Sequence, residues 1–311
     1  MKKISYIFPI YNEYSNIDLL YKTIDEVTAS LERSYSLEFI FINDGSKDKS
    51  LEKLVTVQQK DKRVVVIDFA RNYGHQIAVT AGIDHAKGDA LIIMDSDMQD
   101  PPKVSLDLIT QWERGFDVVY AQRKSRKDSW FKKFTADIFY RFLHKIADIE
   151  IPRNTGDFRL IDRRVAEQLK LFKEHNRFLR GMVSYVGFRQ IAVQFNRDER
   201  HAGVTGYPFK KMLRFAADGI FSFSSAPLKA ISRLGYTIAV LSVIGIIYAL
   251  TMFLLGRVVE GWTFTVISIF FVGGIQLIML GVLGSYIGRI YTEVQGRPLY
   301  GIATIFKAEK K

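Results

Sequence analysis

Near the C-terminal end, two apolar runs without a charged residue interrupt a chain that otherwise reads as an α/β enzyme. They are residues 236–256 (YTIAVLSVIGIIYALTMFLLG) and 262–288 (WTFTVISIFFVGGIQLIMLGVLGSYIG). A bilayer core about 30 Å thick is crossed by roughly 20 apolar helical residues, and both runs reach that length. In hydrocarbon the backbone must satisfy its own hydrogen bonds, so each run is expected to be a transmembrane helix. The alternative is a pair of buried core helices. Those usually run about 10–14 residues and carry a polar face, which these runs lack. The segment between the runs, residues 257–261, is too short to be a domain and has no net charge. The outer flanks carry Lys229, Arg233, Arg289, Arg297, Lys307, Lys310 and Lys311. The positive-inside rule predicts a multi-pass protein of the cytoplasmic (inner) membrane, with both termini and the large N-terminal region in the cytoplasm.

The chain has 311 residues, enough for one large domain or two small ones. Its net charge of +11 points to an anionic partner. No paired Cys/His finger or aromatic RNP strand is present, which argues against nucleic acid and for lipid headgroups or phosphates. The absence of cysteine excludes disulfides and thiolate metal sites. The N-terminal MKKISYIFPIYNE has only a short apolar run before Asn12 and Glu13, and reads as a first strand instead of a signal peptide.

Short apolar runs alternate with helical stretches through the first 121 residues. Strands are expected at residues 4–9, 37–43, 64–68, 90–95 and 117–121. Helices are expected near 16–34, 46–59, 76–86 and 104–114. Near-continuous apolar strands alternating with helices imply a parallel sheet covered on both faces. A strand at 158–162 and a helix near 163–172 follow, and this second α/β stretch ends near Phe195. The sheet from Ile4 to Phe195 is expected to have its own core. Within 207–234, Phe209, Met212, Leu213, Ala216 and Ile220 share one helical face opposite Lys210, Lys211, Arg214 and Asp218. Such a helix just before a span should lie in the membrane interface; an ordinary surface helix is the plainer alternative. The expected organisation is a catalytic domain at 1–206, juxtamembrane helices at 207–235, spans at 236–256 and 262–288, and a cytoplasmic tail at 289–311.

Parallel sheets bind ligands at the carboxyl ends of their strands, where the polar clusters of this chain fall. Asp95-Ser96-Asp97 ends the fourth strand. Two carboxylates one residue apart can face one pocket once a strand breaks, and hard oxygen ligands suit Mg²⁺ or Mn²⁺. Gln99 and Asp100 follow, and Pro101-Pro102 stiffen the turn. A DxD triplet alone is common on solvated loops, so its position at a strand end is what gives it weight. Pro9-Ile10-Tyr11-Asn12-Glu13 closes the first strand and Asn43-Asp44-Gly45-Ser46 the second. Tyr11 offers a ring to stack a base; Asp44 and Glu13 offer acceptors for base or ribose. Gly45 permits a tight turn and Ser46 is an expected helix N-cap. Turn and cap chemistry is the plainer reading of each alone. Arg71-Asn72-Tyr73-Gly74 adds a positive charge beside the same edge.

These elements, in this order, resemble glycosyltransferase family 2, whose nucleotide-sugar-binding fold carries PxYNE, NDGS, RNxG and DxD at successive strand ends. DSDMQDPP (95–102), TGDFRLIDR (155–163), RDERHAGVTGY (197–207), SYIGRIYTEVQGRP (285–298) and the two spans narrow the resemblance to the polyprenyl-phosphate glycosyltransferases. These are relatives of dolichol-phosphate mannose synthase, and the two-span bacterial branch charges undecaprenyl phosphate with glucose or a similar sugar. The resemblance covers nearly the whole chain and implies a GT-A-like α/β domain with a mostly parallel sheet. By the resemblance, Pro9, Tyr11, Glu13, Asp44, Arg71, Asp95 and Ser96 hold the nucleotide sugar, and Asp95, Asp97 and Gln99 surround the metal. Asp157 is the implied catalytic acid or base, and Arg200 a basic catalytic group near the phosphates. Relatives often have Ser-Lys-Tyr where this chain has Thr205-Gly206-Tyr207. The acceptor-phosphate role is then expected to pass to Arg197, Arg200 or Lys210.

The implied reaction moves a sugar from a nucleotide diphosphate sugar, expected to be UDP-linked, to a lipid phosphate in a single inverting displacement. The acceptor oxygen is already anionic, so Asp157 is expected to orient the acceptor or stabilise charge on the sugar. Its plainer role is a structural pairing with Arg159 or Arg163. The basic run 123–133 is expected either to attract headgroups or to be a solvated surface. A non-catalytic scaffold or flippase component explains the spans but leaves Asp95 and Asp97 without a purpose. A processive synthase would need more spans and a QxxRW-like motif. No GxGxxG opens the first helix, which disfavours a dinucleotide oxidoreductase. A homo-oligomer is compatible with the sequence, which does not decide oligomeric state.

Overall fold

The computed structural model describes residues 1–124, 152, 155–196, 226–257 and 261–308. Strand and helix alternate as the apolar pattern predicts: β1 (Lys2–Ile10), α1 (Ile17–Thr28), β2 (Tyr35–Asn43), α2 (Ser50–Lys60), β3 (Val64–Phe69), α3 (His75–His85), β4 (Ala90–Ile93), α4 (Val104–Glu113) and β5 (Val118–Arg123). Next come β6 (Thr155–Asp162), α5 (Arg163–Leu171), α6 (Leu179–Val186) and β7 (Gln190–Phe195). Two long helices, α7 (Ala226–Leu254) and α8 (Trp262–Val294), precede a last strand, β8 (Ile302–Phe306).

The strands form one sheet in the order β7-β5-β6-β4-β1-β2-β3-β8. Its centre is parallel, through the β4–β1, β1–β2 and β2–β3 pairings. β6 runs antiparallel to both β4 and β5, and β8 antiparallel to β3. Side chains alternate across a strand, which explains why β1 reads as a continuous apolar run. Ile4, Tyr6, Phe8 and Ile10 enter one core, with Ile17, Leu20 and Ile24 of α1 and Leu108 and Trp112 of α4. Ile7 enters the other, with Val79 and Ile83 of α3, Val165 and Leu169 of α5, and Met182 of α6. The apolar residues of α1 recur three to four apart, which gives the helix one stripe to bury. Each fully buried aliphatic side chain contributes roughly 1.5–3 kcal/mol.

The strand order reverses at β1, which lies between β2 and β4. The carboxyl ends of β1 and β4 are therefore neighbours, and Ile7 pairs with Ile93. This arrangement carries residues 11–13 and 95–97 to one crevice, the usual ligand position of such sheets.

α7 and α8 have mean hydropathies of 2.0 over Pro227–Met252 and 2.2 over Ile267–Val294, and none of either window is buried within the chain. Leu241, Ile247 and Leu277 stand 62%, 59% and 71% exposed. The core-helix alternative does not fit, because these faces are uncovered among the described residues. Each helix is long and apolar enough to cross a membrane. α7 starts at Ala226, so the end of the segment expected to be juxtamembrane is continuous with the first apolar run. The rest of that segment, including Phe209–Ile220 and Lys210, lies outside the described residues, as does most of the basic run 123–133. Arg123 itself turns inward, 3.4 Å from Asp100.

Within the segment expected to be a cytoplasmic tail lies a strand of the sheet. β8 pairs with β3 through Val66–Phe306, Ile67–Ile305 and Asp68–Thr304. Tyr300 stacks on Phe69 with centroids 5.2 Å apart, and its hydroxyl donates to Asp84 Oδ2 at 2.9 Å. The sheet before Phe195 is thus completed by an edge strand that returns after both long helices. Tyr300→Ala should cost about 1–3 kcal/mol through the lost stacking and hydrogen bond, and Tyr300→Phe about 1 kcal/mol. Hydrogen exchange at the β3 amides reads this directly. Unchanged β3 protection in Tyr300→Ala would show that this tyrosine does not hold β8 on the edge.

Candidate active site

The turn after β1 and the turn after β2 are built as one unit. Asn12 adopts a left-handed backbone, φ 56°, which asparagine tolerates better than most residues. Its N–H donates to Ser46 Oγ at 3.0 Å, and its side-chain oxygen accepts from Lys47 N at 2.8 Å. Ser46 is therefore not the cap of α2. That helix starts at Ser50, whose N–H is taken by Asp48 at 3.0 Å. Glu13 N–H donates to Ser50 Oγ, and the Glu13 carboxylate accepts from Asn16 at 2.6 Å. Tyr11, 44% exposed, leaves its ring open at the rim.

Asp44 is buried beneath this rim. One carboxylate oxygen accepts from Tyr73 N at 2.6 Å; the other accepts from Gly74 N at 2.9 Å and Asn72 Nδ2 at 3.0 Å. Its first task here is to lace the end of β2 to the turn before α3. Burial pushes its carboxyl above the ordinary value, against the lowering effect of those N–H groups. Gly45, at φ 62°, packs under that turn: a Cβ there would sit 2.5 Å from Arg71 C and Asn72 N. Arg71 lies over the Tyr73 ring at 4.2 Å. Pro9 contributes through its carbonyl, which accepts from buried Ser96 Oγ at 3.1 Å.

β4 ends at Ile93, so Asp95 and Asp97 stand on irregular chain beyond it. Met98 has a left-handed φ of 59°, a conformation costly for a non-glycine residue and held here by packing of its side chain on the core. Gln99 N–H donates to Asp97 Oδ1 at 3.2 Å. Gln99 Oε1 is buried and has no hydrogen-bond partner among the described residues.

The site's strongest charge cluster lies across the crevice. Asp157, on β6, is buried. Its Oδ1 accepts from Arg180 Nε at 2.7 Å, and its Oδ2 from His75 Nε2 at 3.0 Å and Gln76 Nε2 at 3.1 Å. His75 Nε2 is also 3.6 Å from Asp95 Oδ1. Burial alone would raise the Asp157 carboxyl, but Arg180 and His75 outweigh it and hold the group well below the usual carboxylate range. For His75, burial works against the proton, yet Asp157 and Asp95 lift it to about 9. Asp95 moves the other way. Desolvation and the neighbouring carboxylates Asp157, Asp100 and Asp97 push it up to about 6, against the pull of His75. Two carboxylates in one crevice are thereby separated into one whose ionised form is favoured and one that is short of positive charge.

The structural pairing of Asp157 is therefore with Arg180, not with Arg159 or Arg163. Arg159 donates to Gly156 O, and Arg163 to the carbonyls of Ala86 and Gly88. His75, Gln76 and Arg180 were not singled out from the sequence. His75 and Gln76 follow the Arg71–Gly74 motif directly, the one local signal that could have marked them. Arg180 carries none. Arg197, Arg200 and Lys210 lie outside the described residues.

Among the described residues no three His, Cys, Asp or Glu side chains are clustered to hold a metal ion. Mg²⁺ commonly needs only one or two carboxylates, with waters and substrate phosphates completing its shell. The charge-starved Asp95, the adjacent Asp97 and the unpartnered oxygen of Gln99 fit that kind of site.

The Glycosyl transferase family 2 model matches residues 5–170. An uncharacterised glycosyltransferase of Bacillus subtilis is 46% identical over 312 aligned positions, spanning 99% of this chain and 95% of the relative. A prophage-derived bactoprenol glucosyl transferase of Shigella flexneri is 42% identical over 300, 96% of each chain. A prophage bactoprenol glucosyl transferase homologue of Escherichia coli is 42% identical over 307, 98% of this chain and all of the relative. Among solved structures, glucosyl-3-phosphoglycerate synthase of Mycobacterium tuberculosis aligns at 15% identity and a TM-score of 0.48, covering 71% of this chain and 76% of that one. With a family match over residues 5–170, more than half of the chain, and near-full-length relatives above 40% identity, the chain belongs to glycosyl transferase family 2.

Proposed function

We propose that this protein transfers glucose from UDP-glucose to undecaprenyl phosphate, with inversion, at the cytoplasmic face of a membrane that it crosses twice. The observation that carries the reading is a polar crevice at strand ends on a sheet whose last strand is tied to two uncovered apolar helices. A soluble acceptor gives no reason for that attachment. A polyprenyl tail does, because it cannot leave lipid. The bactoprenol glucosyl transferases of Shigella flexneri and Escherichia coli support the choice of lipid and sugar.

In this reading an oxygen of the lipid phosphate attacks C1 of glucose, the bond from C1 to the UDP oxygen breaks, and its electron pair leaves with UDP. The attacking oxygen is already anionic, so no proton need be removed. That suits Asp157, whose three donors make it a poor base. It orients groups at the sugar and offers negative charge to the carbon as it becomes cationic. A bound Mg²⁺ or Mn²⁺ would neutralise charge on the departing diphosphate. Asp95, Asp97 and Gln99 are the residues to hold it. Tyr11 stacks the base at the open rim. Glu13, Ser96 and the carbonyl of Pro9 shape the floor beneath the donor, and Asp44 holds the turn that closes over it. Arg71 stands at the rim as a cation for the diphosphate. Arg180 is paired with Asp157 and His75 with Asp157 and Asp95, so the acceptor phosphate draws on Arg197, Arg200 and Lys210.

Membranes containing the protein, incubated with a panel of labelled nucleotide sugars and undecaprenyl phosphate, should yield labelled lipid with UDP-glucose; labelling by another donor alone would overturn the choice of sugar. Asp97→Asn should lower transfer at limiting Mg²⁺ or Mn²⁺ by 100-fold or more with membrane insertion intact, and activity within a few-fold of the parent would remove Asp97 from the metal site. Asp157→Ala should depress kcat at least 100-fold while titration calorimetry finds UDP-glucose affinity within a few-fold. If affinity falls in step with turnover, Asp157 belongs to donor binding or to the fold.

A further inference from the structure

The inner end of α8 touches the loop that feeds the active site. α8 has 33 residues, so at about 1.5 Å each it is about 50 Å long. A hydrocarbon core takes about 30 Å of that, which leaves the last turns free to reach the domain. There the Glu293 carboxylate accepts from the backbone N–H of His175 at 2.8 Å and from its ring Nδ1 at 3.1 Å. The other ring nitrogen, Nε2, donates to Arg297 O at 2.7 Å. Both ring nitrogens thus face acceptors, a carboxylate and a carbonyl, and the doubly protonated ring satisfies both. Glu293 raises the imidazole above its ordinary value, against the nearby Arg177. Arg177 is itself half-buried among Asp84, Glu174, Tyr300 and Glu293, and donates to Phe172 O.

Five residues after His175 the same chain reaches the reaction centre. Leu179 N–H donates to Gln76 Oε1 at 2.9 Å, and Gln76 Nε2 donates to Asp157. Arg180 Nε donates to the other Asp157 oxygen. The loop is thus held at one end by α8 and at the other by the carboxylate of the crevice. The hydrogen-bond partners of His175 are Glu293 and Arg297, neither of them a residue assigned to the reaction.

We propose that Glu293 and His175 are positioning residues, through which the seat of the last apolar helix sets where Arg180 and Gln76 hold Asp157. The proposal rests on the placement of Asp157 at the reacting sugar. Its consequence is that the site reaches working geometry when α8 is seated, so that the membrane segment orients the chemistry as well as anchoring it.

The test uses the full chain in phosphatidylethanolamine–phosphatidylglycerol nanodiscs containing undecaprenyl phosphate, with UDP-glucose as donor. Glu293→Gln should lower kcat about 10-fold, leave the KM for UDP-glucose within two-fold, and speed hydrogen exchange at the Leu179 and Arg180 amides. Glu293→Asp should recover most of the loss. In an Arg180→Ala background, Glu293→Gln should have little further effect, since the group it positions is gone. Multiplicative losses in the double variant, or faster exchange without a change in kcat, would overturn the proposal. Exchange is read without turnover, so a failure of the Asp157 assignment is distinguishable: Asp157→Ala would then keep its kcat. If Glu293→Gln does not fold, His175→Asn provides the same comparison, because it removes the ring's charge and one of its two contacts while sparing α8.

Discussion

The carboxylate of Asp157 is the interaction on which the site depends. A buried charge is tolerated only when it is paired and its lone pairs are filled. Here one oxygen takes Arg180 and the other takes His75 and Gln76. Those donors come from α3 and α6, and the acceptor from β6. One carboxylate therefore ties together three elements that meet nowhere else in sequence, and gives the crevice a wall of defined charge. Loss of any one donor would leave the others around an under-satisfied anion.

That wall also accounts for the behaviour of Asp95. Asp157 and Asp95 share His75, at 3.0 and 3.6 Å, and the imidazole lies nearer to Asp157. Asp95 is left beside Asp97, Asp100 and Asp157 with less positive charge than its surroundings demand, and its carboxyl rises. The reaction proposed for this chain brings an anionic acceptor to an anionic donor. A divalent cation held at Asp95 and Asp97 would offset their negative charge and that of both substrates.

The two long apolar helices are joined to the sheet as well as following it in sequence. β8 returns from α8 to the edge of the sheet and pairs with β3. An edge strand left unpaired would expose its backbone groups; the strand following the last apolar helix covers that of β3. The sheet and the helices are in this sense joined at both the β8 edge and the chain connection.

Much of this was legible in the sequence because it is local. Apolar runs of strand length, helical stripes and charge-free runs of bilayer length each report on their own segment. They predicted β1 to β5 within a few residues and the apolar centres of the two long helices, although α7 begins ten residues before its apolar run and α8 ends six residues after its own. Motifs at strand ends marked the crevice, since a sheet of this order must gather those ends. The antiparallel entry of β6 and β8 was not legible, because strand direction depends on pairing and not on periodicity. Nor was the fact that Ile302–Phe306 is a strand, since five residues of that pattern are stable only against β3. Spacing could not reveal that Asp44 spends its oxygens on the turn before α3, that Ser46 serves Asn12, or that Asp157 finds Arg180 in preference to the nearer Arg159 and Arg163. These are contacts between distant parts of the chain. Composition and periodicity decided that the chain would build an α/β sheet and two apolar helices; the tertiary fold alone decided which charges would meet, because only packing brings a buried carboxylate to the donors that satisfy it.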